Sequence, residues 1–236
     1  MTIEAHLLHW QEKDIMPFVI RHYQRFCDRI VIHDNHSKDG SAELALSLGC
    51  EVITFGDEFF NDQHNMDVKN NCWKGSKADW VIVADFDEVL LCSDPAGIRY
   101  FLSARTHRTI FKTNGWQVMS NYMPIDDILE ITNGYHFANY SKSIVFNPHA
   151  ITDMNYSPGA HKCNPQGDVR WSTEELYVLH YKHIGGVQRT IDRYKQYQKR
   201  MSKVNRQKGW GIHYQQTPAQ LRKEWDERMK ISKPLI

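Results

Sequence analysis

The chain has 236 residues, 41% of them hydrophobic and 24% charged, an ordinary globular composition with enough apolar material for a real core. Lys plus Arg number 29 against 28 Asp plus Glu, a formal charge of +1 that excludes a nucleic-acid binder working through bulk charge. No stretch approaches the roughly 18 uninterrupted apolar residues of a membrane span. Residues 1–10 lack the basic start and apolar run of a signal peptide. Five cysteines (Cys27, Cys50, Cys72, Cys92, Cys163) are odd in number and contain no C-x-x-C pair. They read as free thiols of a reducing compartment, so a soluble, cytoplasmic protein is expected.

The front half alternates strand-like and helix-like segments. Residues 3–9 are a short apolar run, and 15–27 carry apolar residues at helical spacing after Asp14, a capping residue, with Pro17 in the first turn. Residues 29–33 form a β-branched strand that ends in the turn-rich segment 34–40. A helix over 41–48 closes at Gly49, and a strand follows at 50–55. A further helix is predicted over 68–76, then the apolar run 79–84, which enters Asp85-Phe-Asp-Glu88. This order predicts an α/β fold, a mostly parallel central sheet flanked by helices. From residue 110 the texture changes to short strands (109–112, 116–119, 142–146) among polar loops, followed by helices over 187–203 and 218–229. One domain over 1–236 is expected, with a nucleotide-binding half (1–105) and an acceptor-side half with C-terminal helices (106–236).

Three carboxylates follow the run 80–84 at once. Asp85 and Asp87 are one residue apart, and in an extended chain their side chains point the same way. Two hard oxygen ligands at the carboxyl end of a parallel strand suit a divalent cation, which in turn neutralises a diphosphate. An isolated D-x-D is more often a solvated acidic turn; the preceding buried strand is what raises this one above that reading. A second segment, His33 to Ser41, sits at another strand end. Asp34 is placed there to accept from a ribose hydroxyl or a base N–H, while a well-capped turn built on Ser37 or Asp39 explains the same residues without a ligand.

These segments together resemble the family-2-like glycosyltransferases of bacteria and viruses. Leu8-His-Trp-Gln-Glu-Lys-Asp-Ile-Met-Pro17 resembles their N-E-x-D-I-L-P opening, and Asp34-Asn-His-Ser-Lys-Asp-Gly40 their D-N-x-S-x-D-G turn. Asp79-Trp-Val-Ile-Val-Ala-Asp-Phe-Asp-Glu88 resembles the D-W-x-x-x-x-D-x-D-E signature. Lys142-Ser-Ile-Val145 and Leu179-His-Tyr181 resemble later elements, with Gln11 and Leu179 standing where Asn is usual. The resemblance implies a glycosyltransferase-A fold, a nucleoside-diphosphate sugar donor (a UDP-sugar) and Mn²⁺ or Mg²⁺. It implies inverting transfer of a hexosyl or deoxyhexosyl group to a glycan or lipid-linked acceptor. By that resemblance Asp85 approaches the ribose or the metal, Asp87 binds the metal, and Trp10, Asp34, Asp85 and Lys142 hold the donor. His161 and His180 match the family's back-half histidines and are both candidate metal ligands: His161 as the ligand with His180 as its support is preferred, with the reverse order as the alternative.

Inverting transfer needs a base for the acceptor hydroxyl. Asp126, Asp127, Glu130 and Asp153 are the candidates, with Asp127 preferred because its loop follows the strand 116–119. The basic stretch 182–208 predicts an amphipathic helix whose charged face meets solvent or makes peripheral contact with an anionic membrane surface; no nucleic-acid recognition motif accompanies it. Two other classes fit the D-x-D. A sugar-phosphate nucleotidyltransferase is disfavoured by the missing Gly-rich, Arg-bearing loop, and a non-catalytic nucleotide- or glycan-binding module by the intact front motifs.

Overall fold

The four apolar runs of the front half are neighbouring strands. In a computed structural model describing residues 1–94, 96–172 and 176–235, β1 (Ile3–His9), β2 (Arg29–Asp34), β3 (Glu51–Thr54) and β4 (Trp80–Asp85) pair in parallel in the order β4-β1-β2-β3. The crossovers contain α1 (Met16–Gln24), α2 (Ser41–Ser47) and α3 (Asp62–Asn71). The chain continues through β5 (Glu88–Cys92), α4 (Gly97–Ser103), β6 (Ile110–Phe111), β7 (Asn114–Met119), β8 (Asn133–His136) and β9 (Val145–Phe146). Then come β10 (Ile151–Asp153), β11 (Gln166–Gly167), β12 (Trp171–Ser172) and β13 (Leu176–His183). Three helices, α5 (Gly186–Arg200), α6 (Lys203–Lys208) and α7 (Pro218–Ile231), precede β14 (Lys233–Pro234). The expected α/β fold class is the one observed.

The main sheet runs β12-β6-β9-β4-β1-β2-β3, with β9 antiparallel to both β4 and β6. A second sheet, β14-β8-β7-β13-β5, is an addition to the expected single sheet. Its cause is local. The chain reverses at Phe86–Asp87, and β5 leaves the main sheet to pair antiparallel with β13. In sequence, β5 reads as a continuation of the strand before it.

Strand alternation sends Ile3, Ala5 and Leu7 into a core shared with Met16, Val19, Ile20 and Tyr23 of α1. The opposite face places Val81 and Val83 against Trp73, just beyond α3. Trp80 to Ala84 are all buried, which is why the run is continuously apolar.

Three expected boundaries differ. Asp14 does not cap α1; Ile15 holds that place without a side-chain bond, and Asp14 pairs with Arg189 at 2.7 Å. The helix expected over 68–76 begins at residue 62, because Asn61 caps it by accepting the Gln63 N–H at 3.1 Å. The helix expected over 187–203 breaks at Met201, where the backbone turns extended and Ser202 caps α6 by accepting the Asn205 N–H.

Candidate active site

A cavity of about 590 Å³ opens at the carboxyl ends of β1 and β4, where an open α/β sheet characteristically binds its ligand. Leu8 to Trp10, Asn35 and Asp85 to Asp87 form its sheet side. Residues of α3, β13, α5 and the 209–216 segment close it.

The two aspartates of the D-x-D line one cavity but have different partners. Asp85 ends β4 and faces α3: its Oδ1 accepts from Lys69 at 2.7 Å and its Oδ2 from Lys142 at 3.1 Å. Burial opposes its ionisation, but the two ammonium groups outweigh that and hold its carboxyl well below the usual range. Glu88, fully buried, completes this knot by pairing with Lys142 and accepting the Asp85 N–H at 3.1 Å. Asp85, expected to approach the ribose or the metal, is thus ion-paired through both oxygens, each keeping a further lone pair, and Lys142, expected to hold the donor, is one of its two counter-ions. The strand ends at Asp85, and Asp87, in the turn that follows, lines the same cavity with other partners.

Asp87 meets His180 instead, Oδ2 to Nε2 at 3.4 Å. Gln117 decides the state of that imidazole. Its amide nitrogen donates to the carbonyls of Val118 and His180, so its Oε1 accepts from His180 Nδ1–H at 2.9 Å. His180 Nε2 is thus a lone pair, and burial keeps the ring neutral by pulling its pKa down to about 3. Burial, and then the Asp85 charge, push the Asp87 carboxyl upward. A carboxylate oxygen and an imidazole lone pair at this spacing fit adjacent ligands of a divalent cation, whose arms of about 2.1–2.2 Å place neighbouring donors about 3 Å apart. Of the two histidines expected near a metal, His180 is the one that lies beside Asp87. His161 lines the same cavity, but its Nδ1 donates to the Asn139 carbonyl at 2.7 Å and no carboxylate pairs with it among the described residues.

Trp10 is on the cavity wall and 8% exposed. The Arg200 guanidinium lies 3.9 Å over its ring, and Tyr197 packs at 5.2 Å. Arg200 is held there by the Asn35 side chain at 2.7 Å, and Arg193 pairs with buried Glu12. The basic stretch is therefore divided. Lys195, Lys199 and Lys203 are exposed as expected, while Arg193 is buried and Lys182 and Arg200 are half-buried beside the cavity. Lys182 donates to the Tyr214 hydroxyl at 2.7 Å and lies 4.1 Å over the Tyr214 ring, with Tyr194 and Tyr197 beside it. Burial pulls its pKa down to about 8.

Two expected site residues lie elsewhere. Asp34 faces His9 at 2.9 Å and accepts the Ser37 N–H at 3.0 Å, so it builds the turn and does not line the cavity. Asp127 caps the short helical turn Ile128–Glu130 and pairs with Arg25. Glu130 accepts three backbone N–H groups of the same loop, and Asp153 pairs with exposed Lys74. Neither these nor Asp126 line the cavity.

The model of glycosyltransferase family 92 matches residues 18–224. The chain belongs to glycosyltransferase family 92. No curated protein matches the sequence. Among solved structures, glucosyl-3-phosphoglycerate synthase from Mycobacterium tuberculosis with Mn²⁺, UDP and glucosyl-3-phosphoglycerate is similar at 15% identity, covering 48% of this chain and 44% of that one, with a TM-score of 0.34. The same synthase with phosphoglyceric acid gives 16%, 48%, 44% and 0.35. With Mg²⁺ and UDP it gives 15%, 48%, 43% and 0.34. The match thus spans less than half of those chains.

Within this family 92 chain, Lys69, Lys182 and Arg200 line the cavity, a placement that the motif reading did not give them. Lys182 carried a signal: it lies in a run of otherwise strand-forming residues, two positions beyond His180, so both point to one face. Lys69 carried none, because a lysine in a polar helix is ordinarily solvated.

Proposed function

We propose that the chain transfers a sugar from a nucleoside-diphosphate donor to a glycan or lipid-linked acceptor, with inversion, using a divalent cation. The carrying observation is the facing pair of Asp87 and neutral His180 in a cavity that also gathers Lys69, Lys142, Lys182 and Arg200. A bound Mn²⁺ or Mg²⁺ would supply Lewis-acid stabilisation of the leaving diphosphate. The chain's own cations add to it: Lys182 is oriented by the Tyr214 hydroxyl, and Arg200 is braced on Trp10 and Asn35. The tryptophan–arginine pair on the cavity wall suits the flat base of a nucleotide, a UDP-sugar being the favoured donor.

In the transfer, the acceptor oxygen attacks the anomeric carbon, the bond to the diphosphate oxygen breaks, and the hydroxyl proton goes to a base. With Asp127 outside the cavity, His161 is the group we assign to that task. Its Nδ1–H is engaged by Asn139, so Nε2 is a proton acceptor on the cavity wall. Burial, and then Lys142, hold its pKa below the ordinary value and keep it unprotonated at neutral pH.

Calorimetric titration of the purified chain with nucleoside diphosphates, with and without Mn²⁺, tests the reading. Binding that requires the cation is expected. Absence of binding to every nucleoside diphosphate in the presence of Mn²⁺ would remove it.

A further inference from the structure

Under α3 the main sheet buries a polar strip that lies outside the cavity. The register pairs Glu4 with Arg29 and Leu8 with His33, so Glu4, His6 and His33 share one sheet face. His6 Nδ1 and His33 Nε2 are 3.0 Å apart, and both residues are buried. Cys72, capping the C-terminus of α3, brings its sulfur to them, and the three donor atoms lie within 4.8 Å of one another. Bonds of about 2.0–2.3 Å to a tetrahedral ion set donors about 3.3–3.7 Å apart, close to the 3.0 Å nitrogen pair and inside the 4.8 Å that bounds all three.

A second observation concerns the far side of His6. Its Nε2, buried and without a hydrogen bond of good geometry, is 2.7 Å from Glu4 Oε1, whose charge favours a proton on that nitrogen. Glu4 is fixed in turn by Arg29 at 2.6 Å and by the Ser76 hydroxyl at 3.0 Å. The proton at Nε2 leaves Nδ1, the nitrogen that faces His33, as a lone pair. A carboxylate on the outer nitrogen of an inward-facing imidazole is the arrangement that orients metal-ligating histidines.

We propose that His6, His33 and Cys72 form a zinc site joining β1, β2 and α3, with its fourth position open to a small ligand. Binding releases the Cys72 thiol proton, moves the His33 proton to Nδ1 and leaves all three protein donors as lone pairs on the ion. Without an ion, burial pushes the Cys72 thiol up to about 12. Lys69 lies one turn before Cys72 on α3 and reaches Asp85, so the ion would brace that pair from behind.

Cobalt(II) titration of the chelator-stripped full chain distinguishes this site from the Asp87–His180 pair, which has no sulfur. One equivalent with a thiolate-to-cobalt charge-transfer absorption is expected, displaced by zinc, retained in Asp87→Asn and Cys27→Ser, and lost in Cys72→Ser. Should Cys72→Ser fail to fold, the wild-type chain serves: zinc should slow alkylation of Cys72 at least tenfold, as read by peptide mass spectrometry. No charge-transfer absorption in the wild-type chain, the same absorption in Cys72→Ser, or unprotected Cys72 alkylation would overturn the assignment.

Discussion

His180 Nε2 lies 3.4 Å from Asp87 Oδ2, and in their ordinary states neither atom has a hydrogen to give the other. Gln117 fixes the imidazole with its lone pair outward, while burial and Asp85 oppose the charge on Asp87. A cation relieves both. Asp87→Asn and His180→Ala should each weaken Mn²⁺-dependent nucleoside-diphosphate binding at least tenfold by calorimetry. The metal-free Asp87→Asn protein should melt at a higher temperature than wild type, because a carboxyl whose folded pKa is raised opposes folding when ionised. A lower melting temperature would contradict the electrostatics described for this residue.

Arg200 and Trp10 are expected to act as one unit. Trp10→Ala removes the surface on which the guanidinium rests, and Arg200→Ala removes the charge. Each should cost about 1–3 kcal/mol in nucleotide binding, and the double variant less than the sum, because the two residues are in contact. Strict additivity in the double-mutant cycle would separate them.

His161→Ala should lower kcat by roughly 10²–10⁴-fold with little change in donor affinity, the effect of losing a general base. Product NMR should show an anomeric configuration opposite to the donor's. Retention would defeat the single displacement, whereas a fully active His161→Ala enzyme would move the base elsewhere on the cavity wall.

Asp127→Asn should leave turnover within about twofold, since the residue is a cap outside the cavity. Losing the charge weakens the cap and the half-exposed pair with Arg25, so a destabilisation of about 0.5–1 kcal/mol is expected in urea unfolding. A large loss of kcat in a variant of normal stability would return Asp127 to the active site.

Acid should destabilise the fold through His22. Its Nε2–H donates to the Leu90 carbonyl at 2.8 Å, and burial pulls its pKa down to about 4 from an ordinary 6.5. The unfolded chain therefore takes up a proton first. The contribution is intact above pH 6.5 and is lost as pH falls from 6.5 toward 4, about 3 kcal/mol in all. His22→Gln, which keeps a donor but cannot titrate, should flatten the loss of stability between pH 7 and 4.5. Identical pH slopes for the two proteins would rule out this source.

Sequence alone determined the parallel front sheet, because a strand buried on both faces must be apolar throughout, as Trp80 to Ala84 are. It also determined that Trp10, Asp85 and Asp87 gather at strand ends, since their motifs follow such runs directly. Local spacing carries that information. What it could not carry was the direction of each side chain after the strand ends. The strand ends at Asp85, so the alternation on which the paired-aspartate reading rested does not extend to Asp87, and Asp85 meets Lys69 and Lys142, which lie outside the motif. Nor could it distinguish His161 from His180, because pairing of β13 with β5 and β7 is what brings His180 beside Asp87 and Gln117. Asp127 illustrates the same limit. A carboxylate in a loop satisfies its nearest backbone N–H groups first, and only packing of α1 against that loop shows that Arg25 is its partner. Motifs are local and were legible; the charges that complete them come from residues tens to more than a hundred positions away, and only the folded chain brings them together.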